Sequence, residues 1–176
     1  MPSYSSMDTP VGPLLLVAGG DGLQEIRFGA GGATGPLAED RQADGTDILR
    51  EAQAQLAAYF AGRLREFDLP LAPRGGAFEL RVWQALREIP YGATCSYFDI
   101  ARRLGSPGAS RAVGAANGRN PMPIVVPCHR VIGADGSLTG YGGGLETKRY
   151  LLRLEGALQA DLFDPALPHR RAEPAP

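Results

Sequence analysis

Ser96-Tyr97-Phe98-Asp99-Ile100-Ala101-Arg102-Arg103-Leu104-Gly105-Ser106-Pro107-Gly108-Ala109-Ser110-Arg111-Ala112-Val113-Gly114-Ala115-Ala116-Asn117-Gly118 reads as two short helices about a tight turn. Ser96 caps the first, which runs through Leu104 with Ile100, Ala101 and Leu104 on its inner face. Gly105 to Gly108 makes the turn, and Ala109 or Ser110 opens the second helix, Arg111 to about Gly118. The pattern fits a helix-turn-helix or a plain helical hairpin. The second helix is nearly all small residues, with one long cation, Arg111, at its start. A phosphate would favour that positive helix end; a merely solvated arginine is the alternative.

Upstream, Phe78 to Glu88 is expected as a helix with Val82, Trp83 and Leu86 inward, ended by Ile89-Pro90-Tyr91-Gly92. Pro70 to Gly76 reads as a linker. Before it, Leu14–Val17 and Leu23–Phe28 look like strands joined by the Gly19–Gly22 turn, and Gly29–Gly45 like a Gly/Ala-rich loop. Thr46 or Asp47 then caps a helix to about Ala61, with Leu49, Ala52, Leu56 and Tyr59 at helical spacing and Gly62 as the stop. Downstream, Ile124–Val126 is a β-branched run read as a strand leading to Cys128. Tyr141–Gly144 is expected as a mobile loop, Thr147–Glu155 as a last helix, and 159–176 as a disordered tail. The expected fold is a small α/β N-terminal domain over 1–70 (a short antiparallel sheet plus helix), a linker over 71–76, and a mostly α domain over 77–158 containing the helix-turn-helix.

The 176 residues suffice for one well-buried domain or two small ones. Two distant cysteines, Cys95 and Cys128, form neither a disulfide framework nor a zinc set, so a reducing, cytoplasmic setting is expected. No signal peptide or membrane-length apolar run is read. The net charge of −1 hides an asymmetry: residues 1–73 carry five basic and ten acidic side chains, residues 74–156 eleven and six. That fits a polyanion-binding face on the second part, or simply solvated surface. Every basic residue except Lys148 is arginine.

Chemistry concentrates at Asn120-Pro121-Met122-Pro123-Ile124-Val125-Val126-Pro127-Cys128-His129-Arg130. A thiol beside a base is a nucleophile candidate, and Arg130 or a protonated His129 would lower its pKa; a buried, inert thiol is the other reading. His129 is the candidate base, direct or through water. Glu155 stands in a helix's last turn, against the macrodipole, which suggests a functional carboxylate orienting that base; a harmless exposed glutamate is the alternative.

Phe78…Val82-Trp83…Ala85-Leu86…Ile89-Pro90…Gly92…Thr94…Ser96-Tyr97…Ala101, Arg111-Ala112-Val113-Gly114, Asn120-Pro121, Pro127-Cys128-His129-Arg130-Val131, Gly140-Tyr141, Lys148…Leu151-Leu152 and Glu155-Gly156 together resemble the O6-alkylguanine-DNA alkyltransferases of the stand-alone bacterial type. The resemblance spans about 76–156; Thr9-Pro10-Val11-Gly12 and Gly22-Leu23…Ile26 resemble the family's first domain. It implies irreversible transfer of an alkyl group from O6 of a flipped guanine to Cys128, in a single turnover, and leaves O4-alkylthymine open as a second substrate. His129 would act as base through a water, Glu155 would orient it, and Asn120 would hold the active-site turn. Tyr97 would help rotate the nucleotide and protonate or hydrogen-bond the guanine. Arg111 would fill the vacated stack, and Ser106, Ala112 and Arg130 would join Arg111 and Tyr97 in binding DNA.

Pro123, Tyr141 and Gly142 would line the alkyl pocket, a glycine at 142 leaving room for larger adducts. The implied partner is double-stranded DNA carrying O6-alkylguanine, bound through the minor groove by a monomer, with no membrane, metal or cofactor. Some relatives bind zinc in the first domain, but this chain has no Cys or His before Cys95. A non-catalytic lesion reader, a cysteine hydrolase and a helix-turn-helix regulator are the competing readings. The first would lack Cys128, the second would turn over, and the third needs no thiol.

Overall fold

The computed structural model describes residues 2–29, 42–43 and 46–158. The chain divides between Arg74 and Gly75 into two compact units.

In the first unit, β1 (Ser3–Met7), β2 (Leu14–Gly19), β3 (Gly22–Phe28) and β4 (Gln42–Ala43) form a sheet in the order β3-β2-β1-β4. β2 pairs antiparallel with both β1 and β3, and β4 joins the edge parallel to β1. The central β2 is a continuous apolar run, with Leu14, Leu16, Val17 and Ala18 all buried, as a covered central strand should be. β1 escapes a hydrophobic reading because it is Ser-Tyr-Ser-Ser-Met; its place comes from pairing with β2. β4 falls within the stretch expected as loop, whose residues 30–41 and 44–45 lie outside the described residues.

Helix α1 (Asp47–Phe60) is capped by Thr46 Oγ1, which accepts from Leu49 N at 3.3 Å. Leu49, Ala52, Leu56 and Tyr59 are fully buried along one stripe, as the spacing predicts. Gly62 ends the helix at φ +74°. The expected linker is partly built into this unit. Leu23 N donates to Pro70 O and Ala72 N to Leu23 O, both at 2.8 Å. Gly22 permits the approach, since a Cβ there would stand 2.6 Å from Pro70 O.

The second unit holds α2 (Ala77–Arg87), α3 (Tyr97–Arg103), α4 (Ser110–Gly118) and α5 (Leu145–Leu154), with a parallel pair formed by β5 (Cys95–Ser96) and β6 (Val131–Ile132). Val82, Trp83, Ala85 and Leu86 are the buried face of α2, and Trp83 Nε1 donates to Ala116 O at 2.9 Å, tying α2 to α4. Ser96 caps α3, accepting from Asp99 N while Asp99 Oδ2 accepts from Ser96 N. α3 and α4 pack together across the Gly105 turn, where φ is +74°. Leu104, expected inward, is only half-buried because it is the C-cap. α5 starts at Leu145 rather than Thr147: Gly144, at φ +91°, turns the chain and Lys148 N closes the first bond to Gly144 O.

The strand expected over Ile124–Val126 does not form. Pro121, Pro123 and Pro127 lack the N–H groups a ladder needs. The run folds into a tight turn with a bridge between Pro123 and Val126, and Ile124 takes φ +77°. A β-branched residue there is strained, and the burial of Met122, Ile124, Val125 and Val126 offsets it. The tail expected as disordered lies outside the described residues beyond 158.

Truncating Leu56 at the centre of the α1 stripe should cost about 2–5 kcal/mol. Urea denaturation of Leu56→Ala at pH 7 measures it; a loss under about 1 kcal/mol would show that α1 is not packed as described.

Candidate active site

Cys128, His129 and Arg130 form one turn of 3-10 helix directly after the strained turn. Asn120 stitches that turn together: its Nδ2 donates to Val126 O at 2.8 Å and its Oδ1 accepts from Met122 N at 3.0 Å. Cys128 N in turn donates to Val126 O at 2.8 Å. The thiol therefore sits on an over-determined backbone.

All three side chains are buried. His129 Nε2 lies 2.7 Å from Glu155 Oε2. Arg130 grips the same carboxylate with Nε to Oε1 at 2.7 Å and Nη2 to Oε2 at 3.1 Å, and donates from Nη1 to Ile89 O at 2.7 Å. Glu155 is the C-cap of α5, so its carboxylate faces the helix's negative end, offset by these donors. Burial pushes the Glu155 carboxyl up, yet His129 and Arg130 together hold it at about 2. Arg130 is always charged, so it secures the carboxylate whether or not His129 carries a proton. Burial pushes the His129 pKa down, opposed by Glu155. The pair therefore rests as neutral imidazole and carboxylate, the imidazole carrying its proton on Nε2 and donating it to Glu155 Oε2. His129 Nδ1 is left as a buried acceptor without a hydrogen-bond partner.

Burial also pushes the Cys128 thiol up; the nearby polar side chains of Asn120 and Tyr141 and the charge of Lys148 oppose it. This corrects two expectations. Neither Arg130 nor His129 lowers the thiol pKa, because Arg130 is spent on Glu155. Nor is Arg130 placed to join in binding DNA: its guanidinium is buried against Glu155, Ile89 O and the Tyr91 ring. The residue that acts on the thiol electrostatically is Lys148, fully buried, its pKa depressed by burial to about 8. Its Nζ donates to Val131 O at 2.7 Å and Thr139 O at 3.3 Å. The signal in the sequence was its being the sole lysine among arginines. Burial pushes Cys95 up to about 12, so it rests as a protonated thiol.

The remaining candidates fall in two places. Pro123 is buried in the strained turn, Tyr141 is half-buried beside the thiol, and Gly142 is exposed, with nothing within 4 Å of an added Cβ. Tyr97 opens α3; its ring lies against Gly114 of α4, where an added Cβ would meet Cδ1 at 3.7 Å, and its hydroxyl bonds Thr139 Oγ1. Arg111 and Ala112 lie exposed on the first turn of α4, and Ser106 is half-buried in the preceding turn.

Residues 77–157 match the model of the 6-O-methylguanine DNA methyltransferase DNA binding domain, and residues 3–73 that of the same family's ribonuclease-like domain. A methylated-DNA–protein-cysteine methyltransferase of Methanosarcina acetivorans is 51% identical over 154 residues, covering 88% of this chain and 98% of that protein. The structure of Mycobacterium tuberculosis OGT in complex with DNA superposes with a TM-score of 0.81 at 51% identity, over 88% of this chain and 92% of that one. An O6-methylguanine DNA methyltransferase from Methanococcus jannaschii superposes with a TM-score of 0.59 at 26% identity, over 93% and 100% of the two chains.

A carboxyl held down in the fold stabilises it above its unfolded pKa, near 4.5, and loses that contribution as pH falls toward about 2. Glu155→Gln leaves Arg130 buried without its anion, which should cost about 3–5 kcal/mol at pH 7. The gap in urea stability between wild type and Glu155→Gln should hold above pH 5 and narrow below 4.5. A gap independent of pH down to 2 would contradict the assignment.

Proposed function

The chain belongs to the 6-O-methylguanine DNA methyltransferase family, and from that membership we propose that Cys128 is the alkyl acceptor, served by His129, Glu155 and Asn120. It is a methylated-DNA–protein-cysteine methyltransferase that repairs DNA by alkyl transfer. The carrying observation is the buried array at Cys128: an imidazole anchored through Nε2 to an ionised carboxylate, with Nδ1 as its open acceptor.

The raised thiol pKa requires a base at the moment of attack. A water between Sγ and Nδ1 would carry the thiol proton to His129, and Glu155 would stabilise the imidazolium that forms. Sγ bonds to the alkyl carbon as the carbon–O6 bond breaks, its electron pair leaving with guanine. The product thioether offers water no carbonyl to attack, so the reaction runs once. A lesion reader without a nucleophile fits poorly with a thiol set on a turn pinned by Asn120 beside an imidazole–carboxylate pair.

The O6 carbon is reachable only in a flipped base, which costs a few kcal/mol. The exposed, small-residue face of α4 suits close approach to a minor groove, with Arg111 projecting to take the base's place in the stack. Ala112 and Ser106 flank it. Tyr97 would hydrogen-bond the flipped guanine, and Pro123, Tyr141 and Gly142 would border its alkyl group. The protein would act as a monomer. Both free thiols suit a reducing cytoplasm; no helix among the described residues is long and apolar enough to cross a membrane.

Incubation with an oligonucleotide duplex carrying radiolabelled O6-methylguanine should place one label on each protein molecule, and none on Cys128→Ala. Repeated release of the methyl group would contradict single-turnover transfer. Arg111→Ala should slow repair of duplex roughly tenfold or more while barely affecting free O6-benzylguanine, because only the duplex has a stack to refill. Equal losses on both substrates would rule Arg111 out as the wedge.

A further inference from the structure

Thr139 lies between β6 and α5, two residues before Tyr141, and the sequence motifs give it no role of its own. Its hydroxyl meets the Tyr97 phenol oxygen in a short hydrogen bond, and its backbone carbonyl accepts from Lys148 Nζ. The same ammonium donates to Val131 O, three residues past Cys128. One buried strut therefore joins the turn that carries the thiol to the residue that holds the phenol. Tyr97 is the first residue of α3, and its ring lies 3.7 Å from where a Cβ on Gly114 would stand.

We propose that Thr139 is a positioning residue for alkyl transfer, its hydroxyl donating to the Tyr97 phenol oxygen so that the phenol presents its own proton to the flipped base. The inference rests on the reading of Tyr97 given above. A phenol carries one proton. Given to Thr139, that proton would be lost to the guanine; with Thr139 as donor, it is free and its direction is set. As Sγ bonds to the alkyl carbon, the electron pair of the carbon–O6 bond passes to guanine, and negative charge grows on the base. The Tyr97 hydrogen bond draws part of that charge onto the phenol oxygen, where the Thr139 O–H already points. Donors preorganised at a site of developing charge stabilise the transition state more than the ground state, and linked hydrogen bonds strengthen one another. Thr139 keeps its proton throughout, so the balance of the reaction is unchanged.

The test is single-turnover transfer from a duplex carrying O6-methylguanine, giving a saturated rate and a half-saturating concentration. Thr139→Val should lower the saturated rate about 2- to 12-fold, the range expected for one hydrogen bond, with the half-saturating concentration unchanged. Thr139→Ser should restore the rate. In a Tyr97→Phe background, Thr139→Val should have no further effect. A wild-type rate for Thr139→Val beside a slow Tyr97→Phe would overturn the proposal and leave the reading of Tyr97 standing. Independent losses in the double variant would also overturn it, since Thr139 would then act elsewhere. A wild-type rate for Tyr97→Phe would remove the reading of Tyr97 and this inference with it. If Thr139→Val folds poorly, Thr139→Ala against Thr139→Ser decides the same question by hydroxyl removed against hydroxyl kept.

Discussion

The second unit is organised around one buried carboxylate. Glu155 caps α5, and its two oxygens receive three charge-assisted contacts, two from Arg130 and one from His129. Arg130 extends the network to Ile89 O beyond α2. The end of α5, the 3-10 turn and the segment after α2 are thus held by a single anion. Burying such an array costs several kcal/mol per ion, so stability alone is a weak reason for it. Its geometric yield is clearer: the imidazole has one orientation and one tautomer.

Under the proposed mechanism, that constraint decides how the thiol is activated. A cationic histidine next to Cys128 would have favoured a standing thiolate. Burial and the engagement of Arg130 with Glu155 instead keep the imidazole neutral and able to accept a proton. The thiol, itself pushed up by burial, is moderated by Asn120, Tyr141 and Lys148. A nucleophile that is consumed by one reaction gains from remaining protonated until a substrate arrives, because stray alkylation and oxidation both proceed through the thiolate.

The parts of this structure legible in the sequence are those set by local period and capping. The α1 stripe, Ser96 as a cap, Gly62 as a stop and the two helices around Gly105 all follow from residues a few places apart. What escaped was set at a distance. β1 is polar and owes its place to β2. Ile124–Val126 has strand composition, but three prolines and the Asn120 amide make it a turn. Arg130 reads as available to DNA because no local pattern shows that Glu155, 25 residues on, already holds it. Cys128 and His129 stand out as a pair in the sequence, whereas the open acceptor at His129 Nδ1 shows only in the folded chain.

Lys148 has a consequence outside the reaction. It is the sole lysine of the sequence and is fully buried, its ammonium held by two carbonyls. The folded surface therefore offers arginine guanidinium groups but no lysine amine. Acylating reagents, amine-directed crosslinkers and enzymes that build isopeptide bonds have no lysine side chain to modify until α5 is displaced. A spent molecule can carry a lysine-borne mark only after it has begun to unfold.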